Sequence, residues 1–188
     1  MRFDHFDFIA PVFARVGYAS LETMLEMADL PTEGCVLDAG GGAGRVASLL
    51  CEHASDVIIA DPSFGMLKQA HQIRLKLACS NSEALPFPGE SFERVIMVDA
   101  LHHVISQAES AREMYRVLKP GGKIVIEEPD IRTLGVKLIA VAEKLLLMRS
   151  HFLAPDKIAA LFAFDSAKIE IHAANGNAWV VIEKPERG

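Results

Sequence analysis

CVLDAGGGAGRVASLL, residues 35–50, decides the architecture. A short apolar run ends in an acid, Asp38, passes four glycines between positions 40 and 44, and continues at helical spacing through Val46, Leu49 and Leu50. An apolar run of that length fits a strand buried on both faces of a parallel sheet. The glycines let the backbone turn sharply and approach a ligand closely. The exposed amides at the start of the next helix favour a carboxylate or phosphate. The reading is strand, glycine turn, helix.

The same unit recurs downstream. DVIIAD (56–61) is a second apolar run ending in an acid, and Ser63 to Ile73 reads as a helix with Ser63 as its N-cap. LKLACS (75–80) alternates like a strand, NSEALPFPGES (81–91) is a loop, and ERVIMVDA (93–100) is a third buried strand. Ser106 to Leu118 is a helix stopped by Pro120, Gly121 and Gly122, and KIVIEEP (123–129) is the next strand. KIEIHAA (168–174), Asn175-Gly176 and NAWVVIEK (177–184) form a hairpin. Upstream, residues 7–28 read as two short helices broken near Val16–Tyr18, followed by a turn from Pro31 to Gly34. Strands alternating with helices predict an α/β fold: a Rossmann-like, doubly wound, mostly parallel seven-stranded sheet with a C-terminal antiparallel β-hairpin. Residues 1–188 are expected to form a single domain, with 1–30 as an N-terminal helical cap.

Composition narrows the partners. The 188 residues carry a net charge of −6, with Lys and Arg scattered, so nucleic acid is not expected. Three cysteines, Cys35, Cys51 and Cys79, form no CxxC pair, which speaks against a disulfide framework and a zinc site. MRFDHFDFIAPVF lacks a signal peptide's apolar core, and no stretch reaches the ~18 apolar residues of a membrane span. A cytoplasmic chain without integral membrane association is expected.

In doubly wound sheets, ligands bind beyond the carboxyl ends of the strands, where strand order switches. Asp61 falls 21 residues after Gly40, at the end of the second strand, where a carboxylate can hold ribose hydroxyls. Gly42-x-Gly44-x-x-Ala47 also fits the looser pattern of dinucleotide enzymes. Asp38, two residues before the glycines, suits a ligand carrying an ammonium and a sulfonium better than a pyrophosphate.

These segments resemble the ordered signatures of class I S-adenosylmethionine-dependent methyltransferases. VLDAGGGAGR (36–45) is similar to the first, IIADPSFGML (58–67) to the second, NSEALPFPGESFERV (81–95) to the third and DALHHV (99–104) to the fourth. RVLKPGGKIVIEEP (116–129) resembles the segment leading into the fifth strand. The closest subgroup by appearance acts on small molecules and includes ubiquinone and menaquinone biosynthesis enzymes. The resemblance implies S-adenosylmethionine as cofactor. Asp38, Gly40, Gly41, Gly42 and Gly44 would hold its methionine end, and Asp61 the ribose. Pro62, Ser63 and Met66 would pack on the adenine, Asn81 and Ser82 would meet its edge, and Val98, Asp99 and His103 would line the methionine amine and the path to the acceptor. Asn81 stands where the family often has Asp, Phe92-Glu93 where Phe-Asp is common, and Phe13 near a frequent tyrosine.

Methyl transfer needs a nucleophile held in line, and a general base only if the acceptor loses a proton. His102, His103 and Glu128, with Glu127 and Asp130 beside them, lie near the ends of the fourth and fifth strands and supply candidates for that base. Adjacent histidines diverge and no third ligand is evident, so no metal is expected. Leu134, Leu138, Val141, Leu145 and Met148 form a helical stripe. It fits a core helix, a substrate lid or a homodimer surface within residues 131–165; a lid would imply an apolar small-molecule acceptor. Two rivals to methyl transfer stand beside it: a nicotinamide-dependent oxidoreductase and a non-catalytic cofactor-binding module.

Overall fold

The computed structural model describes residues 21–71, 75–145, 150–164 and 166–188, the side chains of 142–145 excepted. Helix α1 (Leu21–Ala28) leads into β1 (Thr32–Ala39), α2 (Arg45–Leu50), β2 (Ala54–Asp61), α3 (Phe64–His71), β3 (Lys76–Cys79) and β4 (Phe92–Val98). A 3₁₀ turn (Leu101–His103) precedes α4 (Gln107–Val117), β5 (Leu118–Pro129), α5 (Leu134–Leu145), α6 (Pro155–Leu161), β6 (Lys168–Ala174) and β7 (Asn177–Glu183). The seven strands lie in the order β3-β2-β1-β4-β5-β7-β6. The first five are parallel, and β7 runs antiparallel between β5 and β6. The expected doubly wound sheet with its terminal hairpin is therefore present, and the order reverses between β1 and β4.

Strand alternation sorts the core into two layers. Val36, Ile59, Ile96 and Val125 pack with Met24 of α1, Leu50 of α2 and Leu67 of α3. On the other face, Leu37, Val95, Met97 and Ile126 pack with Met114 of α4 and Ile158 of α6. Helix α6 was not read from the sequence; Pro155 starts it, as proline's fixed φ allows.

Some boundaries differ from expectation. Thr32 to Gly34, read as a turn, opens β1, with Thr32 paired to Ala54 before the register shifts to Cys35 against Asp56. At the shift a residue far along the chain enters: the Glu93 carboxylate sits where a Gly34 side chain would be and accepts the Cys35 amide at 2.6 Å. Strand β5 begins at Leu118, ahead of the proline and glycines, because Leu118 already pairs with Phe92. The Lys184 ammonium ties that junction by donating to the Tyr115 and Leu118 carbonyls at 3.0 and 2.8 Å. The stripe on α5 is not core: Leu134 and Leu138 are 79% and 72% exposed, Val141 is exposed too, and Val136 turns inward instead. The core-helix alternative is thereby corrected. The side chains of Leu145 and Met148, and the break near Val16–Tyr18, lie outside the described residues.

Arg94 fastens α1 to the sheet. Its guanidinium donates to the Ala28 and Asp29 carbonyls at the end of α1 and to the Glu93 carbonyl. Orphan carbonyls at a helix C-terminus favour a cationic donor. Arg94→Ala is expected to cost roughly 1–3 kcal/mol, about one to two ordinary bonds to a charged group. Urea unfolding with an unchanged slope would read this as a lower midpoint.

Candidate active site

The glycine turn links β1 to α2 at the switch in strand order. Gly40, Gly42 and Gly44 have φ of 75°, 54° and 80°, a left-handed region costly for other residues. At Gly40 a side chain has no room either: its Cβ would lie 2.7 Å from the Ala100 Cβ at the end of β4. The turn is thus pressed against β4 on one side. On the other it is held by β2, where the Gly40 amide donates to the Ala60 carbonyl at 2.7 Å.

Two acids anchor it. Asp61, at the tip of β2, accepts the Gly42 amide at 2.9 Å with one oxygen and the Ser63 amide at 2.7 Å with the other. Asp38, 1% exposed, accepts the Ala47 amide at 3.1 Å. That amide belongs to the first turn of α2, so Asp38 already occupies the donor a pyrophosphate would need. Burial pushes the Asp38 carboxyl up to about 7; the Ala47 hydrogen bond opposes the rise, the Asp61 charge adds to it and Arg45 opposes it. Two acids beneath one glycine turn suit a cationic ligand and disfavour the dinucleotide alternative.

The other expected cofactor positions gather around the same point. Ser63 caps α3 by accepting the Met66 amide at 3.3 Å, and Met66 faces Gly42, whose Cβ would lie 3.1 Å from its methyl. Pro62 is exposed beside Cys79. The Ser80 amide donates to the Asp61 carbonyl at 3.2 Å, bringing exposed Asn81 and buried Ser82 alongside β2. Val98 and Asp99 end β4 next to Gly40, half-buried. Four strand ends therefore converge on one cleft.

The base candidates divide between the two faces of the sheet. Glu128 and His102 are both buried, and Glu128 Oε2 lies 2.5 Å from His102 Nδ1. Burial sets both behind the cleft wall. His103 is half-buried, with Nδ1 3.4 Å from Ser150 Oγ; burial, then the neighbouring His102, pushes it down to about 3. Asp130 is engaged by the Arg132 guanidinium, which lowers its pKa. On the opposite face, Glu127 accepts from the Asn177 amide group at 2.9 Å. It lines an open hollow with Leu21, Met24, Arg45, Val46 and Val98. Arg45 was not singled out in the sequence. Its position directly after the last glycine of the turn is the signal that could have found it. Among the described residues no cluster of three or more His, Cys, Asp or Glu could hold a metal, and no helix is long and apolar enough to cross a membrane.

Residues 37–126 match the family model for a methyltransferase domain. That span runs from the first strand to the fifth and contains every expected cofactor position. Over that span the chain is similar to S-adenosylmethionine-dependent methyltransferases. It is 36% identical over 105 residues to a ubiquinone/menaquinone biosynthesis C-methyltransferase of Marinomonas sp., covering 50% of this chain and 42% of that one. The chain thus spans less than half the length of the curated relatives it matches. Among solved folds, an S-adenosylmethionine-dependent methyltransferase from Thermotoga maritima, titled a possible histamine N-methyltransferase, superposes with a TM-score of 0.78 at 20% identity. That match covers 95% of this chain and 98% of the other. The 4+2 cyclase SpnF superposes with a TM-score of 0.77 at 15% identity over 97% and 94% of the two chains.

The cleft fits S-adenosylmethionine, the cofactor that the similarity implies, on chemistry visible in the fold. A carboxylate oxygen carries two lone pairs, so Asp61 can take vicinal hydroxyls while keeping its backbone amides. Gly40 to Gly44 place bare backbone against the methionine end, over the acid Asp38. Because Asp38 titrates near 7, a cation beside it favours its ionised form. Below that pH, binding must expel the proton. Affinity for the cofactor is therefore expected to rise as pH climbs toward about 7, by at most tenfold per unit, and to level off above it. Calorimetry in two buffers of different ionisation enthalpy would record the released proton, and Asp38→Asn would abolish that release.

Proposed function

We propose that this chain transfers the methyl group of S-adenosylmethionine to a small, largely apolar acceptor held over the ends of β4 and β5. The observation that carries the reading is the pair of acids beneath the glycine turn: Asp61, holding the Gly42 and Ser63 amides, and buried Asp38, holding that of Ala47. When bound, the cofactor supplies a methyl group already activated by its sulfonium. The residues have the remaining work of orientation and water exclusion, worth up to ~7–11 kcal/mol of the barrier. Asp61 fixes the sugar, the glycine turn fixes the methionine end, and Val98 and Asp99 stand at the opening toward the acceptor. The neighbouring cavity supports an apolar acceptor, since Leu21, Met24, Val46, Leu49, Leu50 and Val98 form most of its wall.

The relatives named for ubiquinone and menaquinone biosynthesis make a quinol the first acceptor to try. The likeness to a cyclase fold makes transfer itself worth testing separately from binding. Calorimetry with S-adenosylhomocysteine and with NAD, followed by mass spectrometry of quinols, phenols, amines and thiols incubated with methyl-labelled cofactor, tests both. Binding of the homocysteine compound and a labelled product support the reading. Binding without transfer to any acceptor would leave a cofactor-binding module in its place, and binding of NAD alone would restore the oxidoreductase alternative.

A further inference from the structure

Glu128 leaves β5 on the face opposite Glu127 and drives its carboxylate under the turn that follows β4. One oxygen accepts the Ala100 and Leu101 amides at 3.0 and 2.7 Å, and the other faces His102 Nδ1 at 2.5 Å. An ionised carboxylate only accepts, so Nδ1 carries the proton and Nε2 is the basic end of the ring. The ring cannot turn: it is 2% exposed and stacks on Phe152 with centroids 4.2 Å apart. Its Nε2 lies 4.0 Å from Asp99 Oδ1. Asp99 is the member of this group that reaches the cleft, with its side chain 30% exposed. It adopts a φ of +53°, an uncommon conformation outside glycine, and its amide is tied to the Glu127 carbonyl at 2.9 Å. Such backbone persists where the surroundings over-determine it.

We propose that Asp99 takes the proton that an acceptor loses on methylation and passes it through a bridging water to His102 Nε2, the 4.0 Å between them being too long for direct transfer, while Glu128 holds the ring and offsets the imidazolium charge. The proposal rests on the methyl-transfer reading and narrows its acceptor. The substrate class becomes a hydroxyl, N–H or activated ring C–H compound, whose proton has to go somewhere, rather than a thiolate. The electron pair of the broken bond stays on the acceptor atom that receives the methyl. The proton passes to the Asp99 carboxylate, then to His102, and returns to water when product leaves. A lone carboxylate is too weak a base for a phenol, whereas imidazole titrates nearer neutrality. Among the described residues the titratable groups facing His102 are Asp99 from β4, Glu128 from β5 and His103 within its own turn. Glu128 and His102 are positioning and relay groups; Asp99 is the catalytic residue.

Two readouts test this. First, ¹⁵N spectra of histidine-labelled protein, assigned by His102→Gln, should show His102 with its proton on Nδ1. Asp99→Asn should lower its titration midpoint by at least one pH unit, with no acceptor present. Second, Asp99→Asn should reduce methyl transfer to hydroquinone by a hundredfold or more. The loss of transfer to 2-mercaptoethanol, assayed above its thiol pKa, and any loss of affinity for S-adenosylhomocysteine should each be at least tenfold smaller than the loss on hydroquinone. Glu128→Gln offers an N–H to Nδ1 and forces the other tautomer; it should depress hydroquinone transfer while sparing cofactor affinity. A His102 titration indifferent to Asp99 overturns the relay. So does an equal loss on the thiol, or an equal loss of cofactor affinity, which would place Asp99 on the methionine ammonium. Intact cofactor binding and intact Asp99–His102 coupling with no transfer to any acceptor would sink methyl transfer itself, and the relay with it.

Discussion

Asp61→Ala is expected to weaken binding of S-adenosylhomocysteine by ten- to a hundredfold, measured by titration calorimetry. The scale follows from hydrogen bonds to a charged group, roughly 1.5–3 kcal/mol on removal. Two losses act together. The sugar hydroxyls lose their acceptor, and the Gly42 and Ser63 amides lose the carboxylate that accepts them at 2.9 and 2.7 Å. The second loss loosens the glycine turn that the methionine end requires. Asp61→Asn should fall between wild type and alanine, because its single carbonyl oxygen can serve the turn or the sugar but not both at full strength. The bulk of the fold should hold, because the side chain lies at the tip of β2, beyond the packed core layers. An unchanged dissociation constant in the alanine variant would mean that the ribose is gripped elsewhere.

The sheet was legible because its signals are local. Each of CVLDA, DVIIAD and ERVIMVDA carries an unbroken apolar run followed by an acid, as a strand buried on both faces and ending at a cleft does, and glycines follow the first and a proline the second. Asn175-Gly176 announced the hairpin by its own backbone preference, and both residues adopt positive φ. The cofactor cleft was legible for the same reason: Gly40, Gly42, Gly44, Asp38 and Asp61 sit at strand ends, where chain order fixes their place in space. What depended on distant partners was harder to read. Nothing near Gly34 says that Glu93, 58 residues past Cys35, will enter where the pairing of the first strand shifts. The stripe on α5 has a core helix's periodicity, yet Leu134 and Leu138 are exposed and Val136 is the residue that turns inward. Alternation told that only one of Glu127 and Glu128 could face the cleft. Which one does was decided by partners that spacing cannot show: Asn177 for the first, and the Ala100–His102 turn for the second.

Glu128→Ala is expected to be the costliest single truncation for stability, at roughly 3–5 kcal/mol, because it strips one side of a buried, hydrogen-bonded pair. The Leu101 amide and the His102 ring would be left buried without a partner, each with its own penalty, and the half-buried Ala100 amide would lose its acceptor too. For a chain of this size the loss corresponds to a melting temperature lower by about 10 °C. The contrast is with Glu109 and Arg112, an ion pair on α4 whose side chains are 52% and 60% exposed. Arg112→Ala should change stability by less than ~0.5 kcal/mol, since solvent screens exposed pairs. Glu128→Gln separates geometry from charge. Its carbonyl can still serve the two backbone amides, so most of the lost stability should return, while the histidine keeps the wrong tautomer. A Glu128→Ala protein that melts within 2 °C of wild type would show the turn after β4 to be held by its own backbone, and Glu128 to be a bystander to it.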